Sequence, residues 1–219
     1  MAIIRSPLFY NTMIKNLSIA IFLLIIFSQN ILAQDSPDHW LPIQGQHYQK
    51  IEGTPLYQPG IQFYFWAQSP SCYQLELALR QWHLQNPSLN IERIPLVKRP
   101  HWRLLAKTWL VAIQLQLGEA FLDQLYQAIH QQSLPLTSTS ELEQFLLSQQ
   151  LDVQEFMTLF NSVAINQQLA SIQKTAKTLP ISGVPTIIIN NQWISDPSMV
   201  TTSAQLITVI DHLRGDNGS

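Results

Sequence analysis

Cys72 is the only cysteine in the 219-residue sequence, and it is the side chain best suited to chemistry. It lies within residues 63–76, Phe-Tyr-Phe-Trp-Ala-Gln-Ser-Pro-Ser-Cys-Tyr-Gln-Leu-Glu, which predict an aromatic strand, a short loop and a helix. The first turn of a helix has backbone N–H groups without partners, and the helix dipole there favours negative charge. We therefore expect the thiol of Cys72 to be biased toward the thiolate, the nucleophilic form.

The same residues also meet the ordinary needs of a helix start, which is an alternative interpretation. Serine is among the best N-cap residues and proline is favoured at the first helical position, so Ser69 and Pro70 suffice to begin the helix. Cys72 would then be a small buried residue on the inner face. A single cysteine cannot form an internal disulfide, so the thiol is either buried and inert or retained for a function. The sequence leaves both interpretations open.

Other kinds of site find little support in the sequence. A serine hydroxyl is a weak nucleophile without a base, and none of the six histidines lies near Ser69 in the chain. One cysteine and dispersed histidines give no metal-ligand spacing, so we expect no metal and no cofactor. Charged residues make up only 12% of the chain and the formal charge is −2, which argues against a nucleic-acid partner. We interpret the basic residues Lys98, Arg99, Arg103 and Lys107 as a solvated helix start.

The elements that position Cys72 are predicted from hydrophobic periodicity. Residues 61–66 predict a buried central strand, and residues 89–96 a second strand parallel to it. Residues 47–51 predict a short edge strand. Residues 183–189 and 192–194 predict a hairpin across Asn190-Asn191, and residues 201–213 predict a closing helix. Between about 100 and 178 the pattern is helical throughout, and Ser140 and Glu143 have capping-box spacing. These elements predict an α/β, thioredoxin-like fold with an inserted helical domain.

Residues 1–33 have the pattern of a secretory signal peptide. Arg5 and Lys15 are their only charges, and the apolar run 17–27 is shorter than the roughly 20 residues that a membrane span needs. We predict cleavage after Ala33, with an uncleaved membrane anchor as the alternative.

Two motifs resemble those of the DsbA family of periplasmic thiol:disulfide interchange proteins. One is Pro70-Ser71-Cys72-Tyr73-Gln74-Leu75-Glu76 and the other is Gly183-Val184-Pro185, in the family's order and separation. The resemblance covers residues 40–214 and implies a thioredoxin-like domain in two parts, 34–98 and 179–219, around a helical domain at 99–178. It also implies a periplasmic location.

The resemblance assigns a role to each residue of the motifs and shows where this chain departs from the family. The family's nucleophilic cysteine corresponds to Ser69, and Cys72 corresponds to the second, resolving cysteine. Pro185 would be the cis proline beside the site, although a strand-edge proline is the alternative, and Val184 would present backbone to an extended substrate. The family often has histidine where Ser71 stands, and a buried acidic residue on the strand where this chain offers only Gln62.

Three functions remain open at this stage. The first is single-thiol exchange, in which Cys72 forms mixed disulfides with protein substrates and a membrane-bound redox partner resolves them. The second is non-catalytic binding of extended or unfolded secreted polypeptides in a groove formed by Trp66, Ser69, Pro70, Val184 and Pro185, with Ser71 also at the site. The third is a scaffold that uses its helical domain as an interaction surface.

Overall fold

A five-stranded mixed sheet forms the centre of the described structure, a computed structural model that covers residues 40–53 and 60–214. The strands lie in the order β1-β5-β4-β2-β3. Strand β2 pairs in parallel with β3 and antiparallel with β4, while β5 pairs antiparallel with both β4 and β1. The strands are β1 (Gln49–Lys50), β2 (Ile61–Phe65), β3 (Ile91–Pro95), β4 (Thr186–Ile189) and β5 (Trp193–Ser195).

The strands lie where the sequence predicts them: β1 to β4 are a little shorter than their patterns, and β5 is shifted by one residue. Phe63 and Ile187 are fully buried and directly opposite each other, as a central strand pair requires. Asn190 and Asn191 join β4 to β5 with φ of 52° and 57°, which confirms the predicted hairpin. Pro95 ends β3, which is an edge strand, so its missing N–H weakens no sheet pairing there.

Seven α-helices complete the described part of the fold, and five of them follow one another between β3 and β4. A 3₁₀ turn at Pro100–Trp102 precedes the first of these five. The helices are α1 (Pro70–Gln85), α2 (Arg103–Gln114), α3 (Gly118–His130), α4 (Thr139–Ser148), α5 (Val153–Asn161), α6 (Val163–Lys177) and α7 (Ser203–Arg214).

The capping box of α4 lies two residues before the predicted position. Ser138, rather than Ser140, is the N-cap, and its side chain accepts a hydrogen bond from the backbone N–H of Glu141 at 3.3 Å. The carboxylate of Glu141 accepts from the backbone N–H of Thr137 and Ser138, and these hydrogen bonds hold the pKa of Glu141 below its usual value. The prediction of Ser140 and Glu143 was wrong because both pairs have the same spacing, and Ser140 is already helical.

The outer edge of β3 is covered by side chains instead of a further strand. The carbonyl of Ile91 accepts from the guanidinium of Arg93 at 3.3 Å, and the carbonyl of Arg93 accepts from the indole of Trp109 at 2.9 Å. Gln173 donates to the carbonyl of Pro95 at 3.4 Å. The acceptors along this edge are therefore already occupied.

Three loops, two of which carry predicted site residues, leave the sheet at the same end. Strands β2 and β3 are parallel and both finish there, with Leu96 N–H donating to Phe65 C=O at 2.9 Å. Strand β4 runs antiparallel to β2 and begins there, with Thr186 opposite Tyr64. The loops at 66–69, 96–102 and 182–185 therefore lie close together.

The described residues from Leu41 onward form one compact unit. None of the helices in the described ranges has the length and apolarity that a membrane crossing needs. The predicted signal peptide lies outside the described residues, as do the turns that Pro55 and Pro59 predict and the helix cap that Gly215 predicts. The proposed domain boundaries at 34–98, 99–178 and 179–219 remain predictions.

Candidate functional site

Ser69 is the N-cap of α1 and is largely buried. Its φ and ψ of −77° and 119° are extended, and its Oγ accepts a hydrogen bond from the backbone N–H of Cys72 at 3.3 Å. Pro70 occupies the first helical position, as the sequence predicts. The Oγ of Ser69 also lies 2.9 Å from the Oγ of Ser71, so the two hydroxyls share a hydrogen bond. The residue at the family's nucleophile position is thus engaged as a helix cap.

Cys72 lies fully buried on the inner face of α1, at 0% exposure. Burial raises the pKa of its thiol to about 11. Hydrogen bonds with the Ser69 side chain and the Trp66 backbone lower this pKa, but by less than burial raises it. The charge of Glu76 raises this pKa further. The expectation that the helix N-terminus would favour the thiolate was therefore wrong, because loss of hydration outweighs the helix dipole at this depth.

Glu76 is a buried carboxylate one turn below Cys72, at 1% exposure. It accepts hydrogen bonds from the Nε atoms of Arg93 and Arg80 at 2.9 and 2.7 Å. Arg93 is itself buried and also pairs with Glu119 at 2.6 Å. Burial alone lowers the pKa of Arg93, but hydrogen bonds and charge from Glu76 outweigh it and leave the pKa raised. Glu76 is thus held as a paired anion instead of a free proton acceptor for Cys72.

The loop between β2 and α1 is tied to the helical region by two hydrogen bonds. Nε2 of His130, at the end of α3, lies 2.8 Å from the carbonyl of Ala67. The side chain of Gln68 donates to the carbonyl of Pro135. His130 also stacks on Tyr73, with ring centroids 4.7 Å apart. The loop before α1 is therefore held in place from the helical side.

A cavity of ≈ 200 Å³ lies between the start of α1, Pro185 and the start of α7. The Val184–Pro185 peptide bond is cis. Charged side chains are absent from the lining, all of which lies in the described part of the chain, so the cavity suits uncharged groups. The lining residues are Ser71, Gln74, Leu75, Pro185, Pro197, Val200, Thr201, Thr202, Ser203 and Leu206.

A buried aspartate fixes one wall of this cavity. Asp196 accepts a hydrogen bond from the hydroxyl of Ser182 at 2.9 Å, which joins the segment before Pro185 to the segment after β5. The backbone N–H and the hydroxyl of Ser198 donate to the other oxygen of Asp196, at 2.8 and 2.6 Å. The cavity is therefore preformed by fixed loops rather than by chance contacts of surface side chains.

The predicted site residues are only partly gathered at this cavity. Ser71 and Pro185 line it together. Trp66 instead stacks on Trp102, with centroids 4.4 Å apart, and Val184 packs against the hydrophobic core. Cys72 lies beneath the helix surface and does not reach the cavity lining.

Sequence reasoning missed several residues that shape the site. Glu76 lies on the inner, apolar face of α1. An acidic residue on such a face indicates that it has a buried partner of opposite charge. The contacts of His130 to Ala67 and of Asp196 to Ser182 gave no local signal, because the two residues of each pair are 63 and 14 positions apart in the chain. Gln74 and Thr202 line the cavity only because α1 and α7 meet there.

Comparison with known proteins places the chain in a family. Residues 93–212, more than half of the chain, match the DSBA-like thioredoxin domain. The chain therefore belongs to the DSBA-like thioredoxin domain family. The matched residues include Pro185 and the helical region, while the stretch with Ser69 and Cys72 lies before them.

Curated relatives are similar along most of their length. The chain is 26% identical over 189 residues to the thiol:disulfide interchange protein DsbA of Burkholderia cepacia, covering 83% of this chain and 88% of that protein. It is 24% identical over 174 residues to DsbA of Pseudomonas aeruginosa, covering 77% and 82%.

Solved structures share the fold. DsbA of Pseudomonas aeruginosa superposes with a TM-score of 0.71 at 24% identity, covering 79% of this chain and 93% of that one. A cysteine-to-serine variant of Proteus mirabilis DsbA, solved with the non-covalently bound peptide PWATCDS, superposes with a TM-score of 0.63 at 18% identity, covering 79% and 98%.

Proposed function

We propose that this protein binds extended or unfolded polypeptides non-covalently beside Ser71 and Pro185, and does not exchange disulfides through a pair of cysteines. The observation that carries the proposal is the contrast between the buried thiol and the open cavity at the site. Its only thiol is fully buried with a raised pKa, whereas the cavity beside Pro185 is open to side chains of a ligand. A dithiol reaction needs two sulfurs to exchange two electrons, and the chain has one.

The shape and lining of the cavity support an extended peptide as the ligand. Its volume of ≈ 200 Å³ suits one apolar side chain, and Leu75, Val200 and Leu206 provide apolar contact. Hydroxyl and amide groups of Gln74 and Thr202 at the lining can pair with peptide backbone. The Proteus mirabilis variant supports the same function, since in that protein a serine in place of a cysteine is compatible with peptide binding.

Single-thiol exchange through Cys72 is the second candidate, and it is favoured by the similarity to curated thiol:disulfide interchange proteins. In that reaction the Cys72 thiolate attacks a substrate disulfide, forms a mixed disulfide and releases the substrate's other sulfur as thiolate. The loop 67–69 must move first, and a redox partner, which we place at the membrane, must then resolve the mixed disulfide. We further propose a periplasmic location, on the basis of the signal-like residues 1–33 and the family resemblance.

The direct test fills the cavity and measures peptide affinity. Gln74 is exposed on α1 and lines the cavity, so Gln74→Trp should weaken binding of a fluorescent, cysteine-free extended peptide by about 10-fold or more through steric exclusion. Gln81→Trp is the matched control, because Gln81 is exposed on the same helix two turns further on and lies outside the lining. Affinity is read from fluorescence anisotropy.

Cys72→Ala separates the two candidates. Non-covalent binding predicts unchanged peptide affinity for this variant, and protein isolated without reductant should have the mass of a free thiol. A mass that includes a partner on Cys72 in most molecules would overturn the proposal in favour of single-thiol exchange. Equal affinities for the wild type, Gln74→Trp and Gln81→Trp would show that the cavity is not the binding site.

A further inference from the structure

We propose that an exposed basic strip beside the candidate site binds acidic stretches of the polypeptide held there, an inference that rests on the proposed function. The basic strip consists of Lys98, Arg99, His101 and Arg103, which follow β3 and enter the first turn of α2. All four side chains are exposed. This assignment replaces the interpretation of these residues as only a solvated helix start.

The basic strip touches both loops that carry the site. The Nζ of Lys98 donates to the carbonyl of Ile181 at 2.6 Å, four residues before Pro185. The ring of His101 lies 5.6 Å from that of Trp66, three residues before Ser69. A polypeptide that lies beside Ser71 and Pro185 can therefore extend onto the strip.

The charge of the basic strip is not balanced by carboxylates in the described residues. No Asp or Glu occurs between Glu92 and Glu119, and none occurs between Glu155 and Asp196. None of the strip residues forms an ion pair within the described ranges, whereas Arg80 and Arg93 are both paired with Glu76.

The helices that pack beneath the strip add further positive charge. Arg103 donates to Asn166 of α6 at 3.1 Å. The Nζ of Lys107 lies 4.0 Å from the ring centroid of Phe160 in α5, and burial together with the charge of Arg103 lowers the pKa of Lys107. Lys107 therefore adds a second cation beside Arg103, and no ion pair neutralises it within the described ranges.

Charge complementarity selects an acidic segment as the occupant. The basic strip places three cations, Lys98, Arg99 and Arg103, within six residues of a chain whose formal charge is −2. An acidic segment is therefore favoured over a basic one at this surface. Such attraction between exposed charges is screened by salt, which gives the interaction a measurable signature.

The experiment compares two labelled, cysteine-free peptides that share an apolar centre and differ only in having Gln or Glu flanks. With the full chain, we expect the Glu peptide to bind about 5-fold more tightly at about 50 mM NaCl, and the difference to disappear at about 500 mM. The dissociation constants are measured by fluorescence anisotropy.

Matched variants assign the preference to the strip. The side chain of Arg99 has no hydrogen bond or ion pair within the described ranges, and its backbone carbonyl accepts from the Trp102 N–H, so Arg99→Gln removes charge without breaking a side-chain contact. Together with Arg103→Gln it should remove the preference and leave the affinity for the Gln peptide unchanged. Lys50→Gln is the control, since it removes a cation from β1, at the opposite edge of the sheet from β3. It should preserve the preference for the Glu peptide.

The outcomes separate this inference from the proposed function. If both peptides bind equally, the strip inference is wrong and the peptide site stands. If the Gln peptide and the Glu peptide both fail to bind, the proposed function fails and the inference fails with it. A preference for the Glu peptide that persists in R99Q/R103Q would show that the basic strip does not bind the acidic flanks. The inference is also wrong if the protein shows no preference between the two peptides but binds phosphatidylglycerol vesicles, and R99Q/R103Q loses that vesicle binding. That result would assign the strip to a lipid surface.

Discussion

At the level of single residues, the burial of Cys72 determines what the site can do. With a pKa of about 11, only about one thiol in ten thousand is ionised at pH 7. Tyr126, which lies at 1% exposure, is similarly affected, since burial raises its pKa well above the usual value and the charge of Cys72 adds to this. Both groups resist ionisation because neither can be hydrated.

The pH dependence of thiol modification tests this account of Cys72. Because the thiolate is the reacting form, the rate of reaction with a small disulfide reagent should rise about 10-fold per pH unit from pH 7 to about pH 10, without a plateau. In concentrated guanidinium chloride the same thiol should approach its plateau near the ordinary cysteine pKa. A plateau below pH 8 in the native protein would show a stabilised thiolate instead.

Restoring the missing sulfur tests how much of the site is retained. Ser69→Cys places two cysteines at the ends of a Cys-x-x-Cys motif, so we expect an intrachain disulfide, visible in the intact mass as the loss of two hydrogens. That disulfide should oxidise a reduced two-cysteine peptide, while the variant's cysteines become thiols. The loss of the serine cap should cost about 0.5–2 kcal/mol of stability.

Ser71→Cys is the control for this restoration. It also introduces a second cysteine, but directly next to Cys72, where a bond between the two sulfurs is strained, and it should not oxidise the peptide. If the oxidised Ser69→Cys variant also leaves the peptide reduced, the site lacks more than the sulfur atom of the first cysteine.

At the residue level, the sequence predicted the cap and the helix position but not the acidity of the thiol. Ser69 and Pro70 act locally, and local rules place them correctly. The pKa of Cys72 depends on the depth to which packing from α3 buries it, which no local pattern records. Glu76 was missed for the same reason, since its partner Arg93 lies on a strand 17 residues away.

At the level of elements, the contacts between α1, β3 and α3 are the most sensitive to substitution. Glu76→Gln leaves the buried guanidinium of Arg93 with one partner fewer, and we expect a loss of about 3–5 kcal/mol in the free energy of unfolding. Glu119→Gln removes the other partner of Arg93, but its carboxylate is 51% exposed, so the loss should stay below about 1 kcal/mol. Urea denaturation measures the free energy of unfolding of both variants. Equal losses would contradict the assignment of Glu76 as the main buried partner of Arg93.

The hydrogen bond between α3 and the loop before α1 gives a second prediction at this level. His130→Ala removes the contact to the Ala67 carbonyl, and amide exchange at Ser69, whose N–H donates to Trp66 at 3.0 Å, should accelerate by about 2- to 10-fold. Gln131→Ala is the control, because Gln131 contacts the Tyr73 hydroxyl and not the loop. Identical exchange in the two variants would show that the loop is held by other contacts.

The elements themselves were largely predictable, because hydrophobic periodicity and turn residues act over short distances. The β4–β5 hairpin follows from β-branched residues on either side of Asn190-Asn191. The shifted capping box shows where this reasoning fails, since Ser138 and Ser140 offer equal spacing and the backbone before the helix selects Ser138.

At the level of the whole molecule, the helical region shares its core with the sheet. Trp109 of α2 donates to the Arg93 carbonyl of β3 and packs edge-on against Phe65 of β2, with ring centroids 6.2 Å apart. Tyr126 of α3 contacts the same phenylalanine ring at 6.4 Å. The inserted helices therefore complete the core of the strands that carry the site.

Because the core is shared, we expect one cooperative unfolding transition. Far-UV circular dichroism, which follows mainly the helices, and tryptophan fluorescence, to which Trp109 contributes, should give the same midpoint in guanidinium chloride. Two separated midpoints would show that the helical region and the sheet unfold independently, and that the contacts of Trp109 contribute little to their coupling.

The covered edge of β3 has a consequence for the proposed binding of unfolded chains. An unfolded chain is also a potential sheet partner, and a sheet with an open border can recruit one strand after another until an aggregate forms. Arg93, Trp109 and Gln173 already occupy the carbonyls of this border, and Pro95 brings no N–H to it. In the proposed function, the carbonyls of this border are therefore not available as hydrogen-bond acceptors to the aggregation-prone clients that the protein would hold.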